Sequence, residues 1–510
     1  MQIQLIHPPV YLNVHAMTAL RPSMPLGLAY VAAALRKAGH GVTLLDAVGE
    51  APDQVTRHGH LHRLGLTPEQ IVERLDPRAG AFGVTNMWSF SWPLVREILH
   101  GIRARFPEKP IVCGGEHFTG MPELSMETSP IDYIVLGEGE DGAVALFRAL
   151  EDGTSVEGVP GLLYRKNGRI ARTSAAVRKR DVDELPWPAW DLVDVEAYNE
   201  HDLVNGVKAG KTLPILATRG CPYQCTYCSS PGMWTTRYVT RDPQDVADEI
   251  EHYYRAAGVR NFPFQDLTAI VKRDWIIAFC NALLEKGLSD LTWQFPSGTR
   301  CEVIDDEVAR LLFLTGGRNL AYAPESGSEE TRRLIKKKMK TSSLLDAVEA
   351  SVKNHLSITC FFVLAFPHDT REDYKATARL VRKLALKGIH DIAIGFFFPI
   401  PNTELYRNLV ARGDIELDTP EKVDEFLLTP IYANEAKLTE DHNYSDHFSA
   451  RELTRWKYRL LLNFYGLSFL SRPWRIFQVL FNALRGKETR KLETWLIEQK
   501  RKRLLTRRTA

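Results

Sequence analysis

Short apolar segments alternate with amphipathic ones over the first 150 residues, which predicts strands alternating with helices. This alternation predicts an α/β fold, a doubly wound parallel sheet with helices on both faces. Ligands of such sheets bind beyond the carboxyl ends of the strands. We therefore expect a ligand rim in the loops that follow the strands. The predicted strands are Ile3–Ile6, Val42–Asp46, Ala81–Thr85, Ile111–Cys113 and Tyr133–Leu136.

A second series of strand and helix patterns begins at Leu213 and contains six strand–helix pairs. The predicted strands are Pro214–Thr218, Asn261–Gln265, Thr292–Ser297, Asn319–Ala323, Ile358–Ala365 and Asp391–Phe397. The predicted helices are Pro243–Ala256, Asp274–Lys286, Asp305–Thr315, Ser342–Asn354 and Arg371–Leu386. Six pairs favour a partial (β/α)6 TIM-like barrel, whose chemistry belongs at the loops after the strands. Between the two series, Asn167-Gly168 predicts a hairpin turn, because both residues tolerate positive φ. The last hundred residues have a helical pattern. The predicted organisation is a doubly wound domain over 1–150, a connector with a hairpin over 151–205, the barrel over 206–410 and a helical region over 411–510.

Composition places the chain among ordinary folded proteins. Of its 510 residues 44% are hydrophobic and 25% are charged, which excludes a disordered or fibrous chain. Its seven cysteines are too few and too scattered for a secreted disulfide framework. The sequence shows neither a secretory signal nor an apolar run of roughly 20 residues. We therefore expect a cytoplasmic protein with reduced thiols.

The net charge of +2 is unevenly distributed. Residues 451–510 contain 16 Lys/Arg and 4 Asp/Glu, a local charge of +12, so the other 450 residues carry −10. Aromatic and aliphatic residues are interleaved with these basic ones, a pattern that suits peripheral contact with the inner face of an anionic membrane. Alternatively, the apolar faces pack on the barrel and the arginines face water. Binding of RNA to the final basic run is a third alternative. It is disfavoured because the sequence contains no nucleic-acid fold motif.

Cys221, Cys225 and Cys228 form a C-x3-C-x2-C motif directly after the first predicted strand of the second series. Three thiolates can bind three irons of a [4Fe-4S] cluster. No fourth cysteine lies nearby, so one iron is left open for a small ligand. A structural zinc site is disfavoured, because zinc needs a closed tetrahedron that is commonly built from two pairs of ligands.

At this motif the sequence resembles the radical S-adenosylmethionine (radical SAM) superfamily. The resemblance implies that the open iron binds the amino and carboxylate groups of SAM. It also implies that reductive cleavage of SAM gives a 5′-deoxyadenosyl radical, which abstracts a hydrogen atom from the substrate. Further segments resemble the family: Ala323–Ser328, Phe366-Pro367 and Pro399–Tyr406. The candidates for binding SAM are Tyr227, Gln265, Asp266, Arg300 and Glu325.

Two positions depart from the family pattern within these segments. Asn402 stands where the family has glycine, and Pro324 replaces an apolar residue. A carboxylate at Glu325 has a second interpretation, as a group favoured by the N-terminus of the following helix.

The N-terminal half resembles the cobalamin-binding domain that precedes many radical SAM domains. The similar segments are Pro25–Tyr30, Gly39-His40, Gly114-Gly115 and Gly137–Glu140. The candidates for binding cobalamin are Gly114, Gly115, Gly137 and Glu138. The D-x-H-x-x-G motif that supplies an axial histidine in other cobalamin proteins is absent after Asp46. His7 and His117 also stand at strand ends, where a lone histidine is more often a hydrogen-bonded loop residue than a ligand.

The resemblance implies an oxygen-sensitive enzyme that methylates an unactivated carbon of a small molecule. The basic, aromatic-rich region 451–510 favours a lipophilic substrate at the membrane face. The substrate radical would take its methyl group from methylcobalamin, and an external electron donor would reduce the cluster. Two other reactions remain open, an anaerobic oxidative cyclisation of the magnesium-protoporphyrin ester type and a radical coupling of lipid chains. Outside the enzymes, an iron-sulfur sensor or electron carrier remains open.

Overall fold

The structure is a computed structural model that describes residues 1–17, 21–59, 61–288 and 290–508. The described strands form a seven-stranded, a five-stranded, a three-stranded and a two-stranded sheet. In chain order the strands are β1 (Gln2–His7), β2 (Val10–Leu12), β3 (Gly41–Asp46), β4 (Val55–His58), β5 (Leu61–Leu64), β6 (Ala81–Thr85), β7 (Ile111–Gly114), β8 (Tyr133–Val135), β9 (Leu162–Lys166), β10 (Arg169–Arg172), β11 (Thr218–Arg219), β12 (Val239–Thr240), β13 (Asn261–Pro263), β14 (Thr292–Thr299), β15 (Gly317–Glu325), β16 (Ser357–Leu364) and β17 (Asp391–Phe396).

The helices cover both large sheets and form most of the C-terminal region. In chain order they are α1 (Leu26–Lys37), α2 (Pro68–Glu73), α3 (Trp92–Arg105), α4 (Glu116–Gly120), α5 (Pro122–Glu127), α6 (Gly139–Asp152), α7 (Val195–Glu200), α8 (Ser230–Trp234), α9 (Pro243–Ala257), α10 (Arg273–Glu285), α11 (Asp306–Leu314), α12 (Glu329–Leu334), α13 (Thr341–Lys353), α14 (Arg371–Lys387), α15 (Glu404–Arg412), α16 (Pro420–Ala433), α17 (Ala450–Ser471), α18 (Trp474–Leu484) and α19 (Lys491–Arg508).

The seven-stranded sheet has the order β10-β9-β8-β7-β6-β1-β3. Its five strands from β8 to β3 are parallel, and the hairpin β9–β10 adds two antiparallel strands at one edge. Asn167 and Gly168 form the hairpin turn with φ of 53° and 76°, as their sequence predicts. Most residues of the parallel strands are buried because helices cover both faces. The predicted α/β class is confirmed.

A three-stranded antiparallel sheet of order β2-β5-β4 was not predicted from the sequence. Its strands are three or four residues long, and polar residues such as Arg57 and His62 interrupt the apolar alternation. Short polar strands of this kind depend on their neighbours for stability rather than on a local pattern.

The five-stranded sheet runs in chain order from β13 to β17 with every pair parallel, as expected for a partial barrel. The predicted first strand, Pro214–Thr218, is the exception. Ile215 makes only an isolated parallel bridge to Phe264, and the chain then turns into an antiparallel pair of β11 with β12. Pro214 has no N–H to donate, which weakens a regular ladder at this edge. The segment at the predicted first strand of the barrel is therefore joined to β13 and the residue after it by isolated bridges, not by a regular ladder.

The C-terminal helix α17 packs on α14, with Leu453, Leu460 and Phe464 fully buried. The arginines that follow it are bound to the protein: Arg472 donates to Leu386 O (3.0 Å) and Arg475 to backbone carbonyls at the end of α14. The inner face of α17 therefore packs on the barrel, as the alternative states, but Arg472 and Arg475 bind backbone carbonyls instead of facing water. None of the described helices is long and apolar enough to cross a membrane.

Candidate active site

The three cysteines of the motif lie on the loop between β11 and α8. Each is partly exposed, whereas Cys113, Cys280, Cys301 and Cys360 are buried. Burial still raises the pKa of the thiols of Cys221, Cys225 and Cys228, so iron binding must displace their protons. No three His, Cys, Asp or Glu side chains in the described ranges converge on one metal ion. A cubane does not require such convergence, because each thiolate binds a different iron.

Hydrogen bonds hold this cluster loop to the end of α12 and to the first turn of α15. The backbone N–H of Thr226 donates to Ile335 O (3.1 Å), and Thr226 O accepts from the N–H of Leu405 (3.0 Å). At the start of the loop, Asp266 accepts from the hydroxyl of Thr218 at 2.5 Å and from a backbone N–H. Burial raises the pKa of Asp266 to about 6. The structure thus uses this predicted SAM contact to support the strand that leads into the loop.

Tyr227 and Glu325, two of the predicted SAM contacts, lie together. The hydroxyl of Tyr227 donates to Glu325 Oε1 at 2.8 Å, and Lys337 Nζ donates to the same oxygen at 2.9 Å. Lys337 is almost fully buried and was not predicted. The sequence signal for it is a run of three lysines after α12, and nothing in that run singles out one residue. Ser328, instead of Glu325, caps α12 by accepting from Thr331 N.

The ends of two barrel strands have unusual backbone conformations. Glu325 at the end of β15 has φ of 60°, and Ala365 directly after β16 has φ of 73°. Positive φ is uncommon for residues with a side chain and is concentrated at functional sites. Both positions border the carboxyl edge of the sheet, where the cluster loop meets Glu325.

Arg300 and Gln265 lie near the same loop without touching Glu325. The guanidinium of Arg300 lies 4.1 Å from the centre of the Tyr223 ring and donates to Glu302 Oε2 at 2.9 Å. Gln265 accepts from the amide of Asn205 at 3.4 Å, and its own buried amide nitrogen has no partner among the described residues. Arg300 therefore already has a carboxylate partner and supports the loop, whereas Gln265 keeps a free donor.

Asn402, which stands where the family has glycine, has a backbone conformation that asparagine tolerates. Its φ is 64°, in the left-handed region that asparagine tolerates better than most residues. A Cβ on the adjoining Gly232 would lie 2.5 Å from Asn402 Nδ2, so a side chain there would displace the Asn402 amide. The substitution therefore keeps the backbone path of the loop beside α8.

The predicted cobalamin loops follow β7 and β8 of the N-terminal sheet. Gly115 has φ of 113°, and a Cβ on it would lie 2.7 Å from Asn86 O. Gly137 has φ of 72° and lies close to Met233 O, in the helix that follows the cysteines. Gly114 ends β7 next to them. Gly115 thus lets its loop pass close to the backbone of Asn86, and Gly137 lies next to α8.

His7 and His117, the two histidines at strand ends, are hydrogen-bonded, as the sequence analysis predicts. His7 Nδ1 lies 2.7 Å from Asp46 Oδ1. His117 is fully buried, with its ring nitrogens near the hydroxyls of Ser89 (3.1 Å) and Ser125 (3.3 Å). Burial lowers the pKa of His117 to about 3, so this imidazole is neutral at physiological pH.

The N-terminal loops contact the cluster loop through buried ion pairs. Arg219, two positions before Cys221, donates to Glu140 Oε1 at 2.5 Å and to Glu138 Oε1 at 3.4 Å. Arg178 of the connector pairs with Glu138 at 2.8 Å. All four charged side chains are less than 10% exposed. The carboxylate of Glu138, a predicted cobalamin contact, is thus paired with two arginines.

A second contact lies on the other side of the cysteines. The hydroxyl of Ser229, directly after Cys228, donates to the Glu116 carboxylate in α4. Burial raises the pKa of Glu116. Loops of the N-terminal sheet therefore touch the cluster loop both before its first cysteine and after its third. These contacts join residues about a hundred positions apart, so no local sequence pattern predicts them.

Two family models match the chain: B12 binding domain over residues 14–147 and Radical SAM superfamily over residues 215–381. The chain belongs to the radical SAM superfamily, in the group with a cobalamin-binding domain. The family, fold class and cofactor set predicted from the sequence are confirmed.

Relatives and solved structures resemble both domains together. An uncharacterized methyltransferase of Pyrococcus horikoshii is 28% identical over 420 residues, 81% of this chain and 84% of that protein. The anaerobic magnesium-protoporphyrin IX monomethyl ester cyclase of Synechocystis is 30% identical, covering 69% of this chain and 66% of the cyclase. The radical SAM methyltransferase TsrM of Kitasatospora setae, solved with cobalamin and a [4Fe-4S] cluster, has a TM-score of 0.63 at 21% identity. That match covers 82% of this chain and 76% of TsrM and shows a shared fold.

The described residues of the radical SAM chain fit these cofactors. In the cluster loop three partly exposed thiols share one loop, and the buried hydroxyl of Thr226 has no partner there. In the B12 binding domain the buried amide nitrogen of Asn86 lacks a partner among the described residues, in the loop whose backbone packs against Gly115. Both groups are available to form a hydrogen bond with a bound cofactor.

Proposed function

We propose that this chain is a cobalamin-dependent radical SAM methyltransferase that acts on an unactivated carbon of a small molecule. The observation that carries the proposal is the contact of the cluster loop with the cobalamin-domain loops on both sides of the cysteines. When bound, the cluster and SAM supply the radical that removes a hydrogen atom, and cobalamin supplies the methyl group. Two such sources can serve one substrate only if they lie side by side.

The residues around the cluster loop have separable roles in this proposal. Cys221, Cys225 and Cys228 hold the cluster through three irons. Lys337 provides a buried positive charge for the carboxylate of SAM, and Glu325 accepts from its amino group. The two side chains pair with each other at 2.9 Å, so each would exchange this contact for one with SAM.

The other predicted residues position these groups. Tyr227 orients Glu325, and the free amide of Gln265 is available to donate to SAM. Asp266 and Arg300 hold the strand and the loop, and Glu138 joins the two domains. Gly114, Gly115 and Gly137 let the backbone approach cobalamin. The division of the chain at residues 150, 205 and 410 is part of this proposal.

The substrate and partners follow from the rest of the chain. The four cysteines outside the motif are single and buried, so the electron that cleaves SAM comes from an external donor. Large apolar side chains are exposed in the basic region 451–510, which supports contact with an anionic membrane and therefore a lipophilic substrate.

The proposal is tested by comparing cells with and without the gene, grown on methionine with an isotopically labelled methyl group. A lipid or pigment that carries the label only when the gene is present supports methyl transfer. A gene-dependent product that differs in ring closure or chain coupling and lacks the label contradicts it. Cells that express the Cys225→Ala variant are the control and should match the deletion.

A further inference from the structure

Helix α18 turns its apolar residues outward. Five large side chains of this eleven-residue helix are more than half exposed, led by Leu484 at 80% and Phe477 at 75%. The others are Trp474, Leu480 and Phe481. A surface helix normally buries its apolar stripe and exposes its polar one. This helix does the opposite, which marks an interaction surface.

Polar contacts fix the orientation of α18. Arg475, on its inner side, donates to Gly388 O at 2.7 Å and to Ile389 O at 2.8 Å. One helical turn after Val479, Asn482 donates to Glu493 Oε1 at 2.8 Å. Rotating the helix to bury its aromatic residues would break these buried hydrogen bonds. The outward position of the apolar face is therefore built into the fold.

The preceding helix continues this surface. Along α17 the exposed residues Tyr458, Leu462 and Leu470 follow a helical spacing of four and eight residues and lead to Trp474. A shallow groove of about 440 Å³ on the same helix is lined by Thr454, Arg455, Tyr458, Arg459, Leu462 and Asn463. Its guanidinium groups can accommodate phosphate.

Residues 455–487, which form this surface, include basic residues and no acidic one. Arg455, Arg459, Arg485 and Lys487 are exposed. The acidic residues of the region are turned inward or paired: Glu488 is buried against Arg21 (2.5 Å), Glu493 and Glu498 are buried, and Glu452 pairs with Arg371. An exposed apolar face surrounded by basic groups is complementary to a surface that is apolar inside and anionic outside.

We infer that the outer faces of α17 and α18 are a docking surface for an anionic lipid membrane, on which α18 lies parallel to the bilayer. A helix of eleven residues is about 16 Å long, too short to cross the bilayer. Symmetric pairing with a second copy would bring these basic groups together, which disfavours a dimer. The inference rests on the proposed membrane contact and is independent of methyl transfer.

Flotation of the full-length, cluster-loaded protein with lipid vesicles tests the inference. We expect the unaltered protein to bind vesicles of phosphatidylcholine mixed with phosphatidylglycerol. The Phe477→Ser/Phe481→Ser double variant should bind them more weakly by a factor of at least about ten. The Arg485→Gln/Lys487→Gln variant should bind anionic vesicles more weakly, just as added salt weakens the binding of the unaltered protein. Leu314→Ser, at a similarly exposed leucine at the end of α11, is the control and should bind normally.

Three outcomes would overturn the docking surface. They are no vesicle binding by the unaltered protein, equal binding by the Phe477→Ser/Phe481→Ser variant, and a dimer that this variant dissociates in sedimentation experiments. SAM cleavage in lipid-free buffer is measured on the same samples. Normal cleavage without vesicle binding refutes the docking surface alone, whereas vesicle binding without cleavage refutes the proposed function alone.

Discussion

Replacing Arg219 with methionine should loosen the cluster loop from the cobalamin-binding domain. The substitution removes the positive charge that pairs with Glu140 at 2.5 Å and with Glu138 at 3.4 Å, and both carboxylates stay buried. Removing one partner of a buried ion pair typically costs about 3–5 kcal/mol, because the remaining charge is uncompensated. This pairing also lowers the pKa of Glu140, although burial opposes it.

The assay is hydrogen exchange of peptides that cover β11 and the cluster loop. A loss of about 3 kcal/mol in the free energy of local opening should speed exchange there by more than about a hundredfold. The control is Arg36→Met, which breaks an ion pair between α1 and Asp191. Because that pair is exposed, its loss should cost less than about 1 kcal/mol and leave exchange of the cluster loop unchanged.

Exchange in the cluster loop that is equally slow in Arg219→Met and in the unaltered protein would refute the reasoning. It would mean that other contacts, such as the Ser229–Glu116 hydrogen bond, hold the two domains together on their own. Fast exchange confined to the N-terminal loop would instead show that Arg219 supports only that domain. The ion pair of Arg219 would then stabilise the cobalamin-binding domain without holding the cluster loop in place.

Further predictions concern the cluster, SAM and His117. Cys225→Ala should abolish the iron-sulfur absorbance after anaerobic reconstitution, and an unchanged spectrum would contradict the metal assignment. Glu325→Gln and Lys337→Met should each weaken SAM binding about 10- to 100-fold by calorimetry, the value of a hydrogen bond to a charged group; affinity like that of the unaltered protein would exclude the residue from the site. Because burial lowers the pKa of His117 to about 3, against about 6.5 unfolded, its neutral state contributes stability that is lost as pH falls below 6.5. At pH 5 the loss is about 2 kcal/mol, so urea unfolding of His117→Gln should depend less on pH by that amount, and an identical pH slope would contradict the assignment.

The elements with strong periodicity were predictable from the sequence. The strands β14 to β17 and the helices between them lie within two residues of their predicted bounds, except that α12 was missed. Here the apolar runs are long and their packing on both faces agrees with local preference. The segment at Pro214 and the small antiparallel sheet were not predictable in detail, because edge strands are stabilised by tertiary pairing more than by pattern.

The site divides in the same way. The spacing of Cys221, Cys225 and Cys228 is a local signal, and it pointed to the correct family. Lys337 and Arg219 carry no such signal, since their importance comes from a carboxylate that folding brings beside them. Asn402 shows the reverse case, in which a departure from the family pattern is reconciled by its backbone conformation alone.

The most direct test of the account uses the purified protein reconstituted anaerobically with iron, sulfide and cobalamin. It is incubated with a reductant, methyl-labelled SAM and a lipid extract from cells that lack the gene. We expect release of 5′-deoxyadenosine, which depends on the cluster and the reductant, together with a product that carries the labelled methyl group only when cobalamin is added. Formation of 5′-deoxyadenosine with an unlabelled product, or equal labelled product without cobalamin, would contradict the proposed methyl transfer.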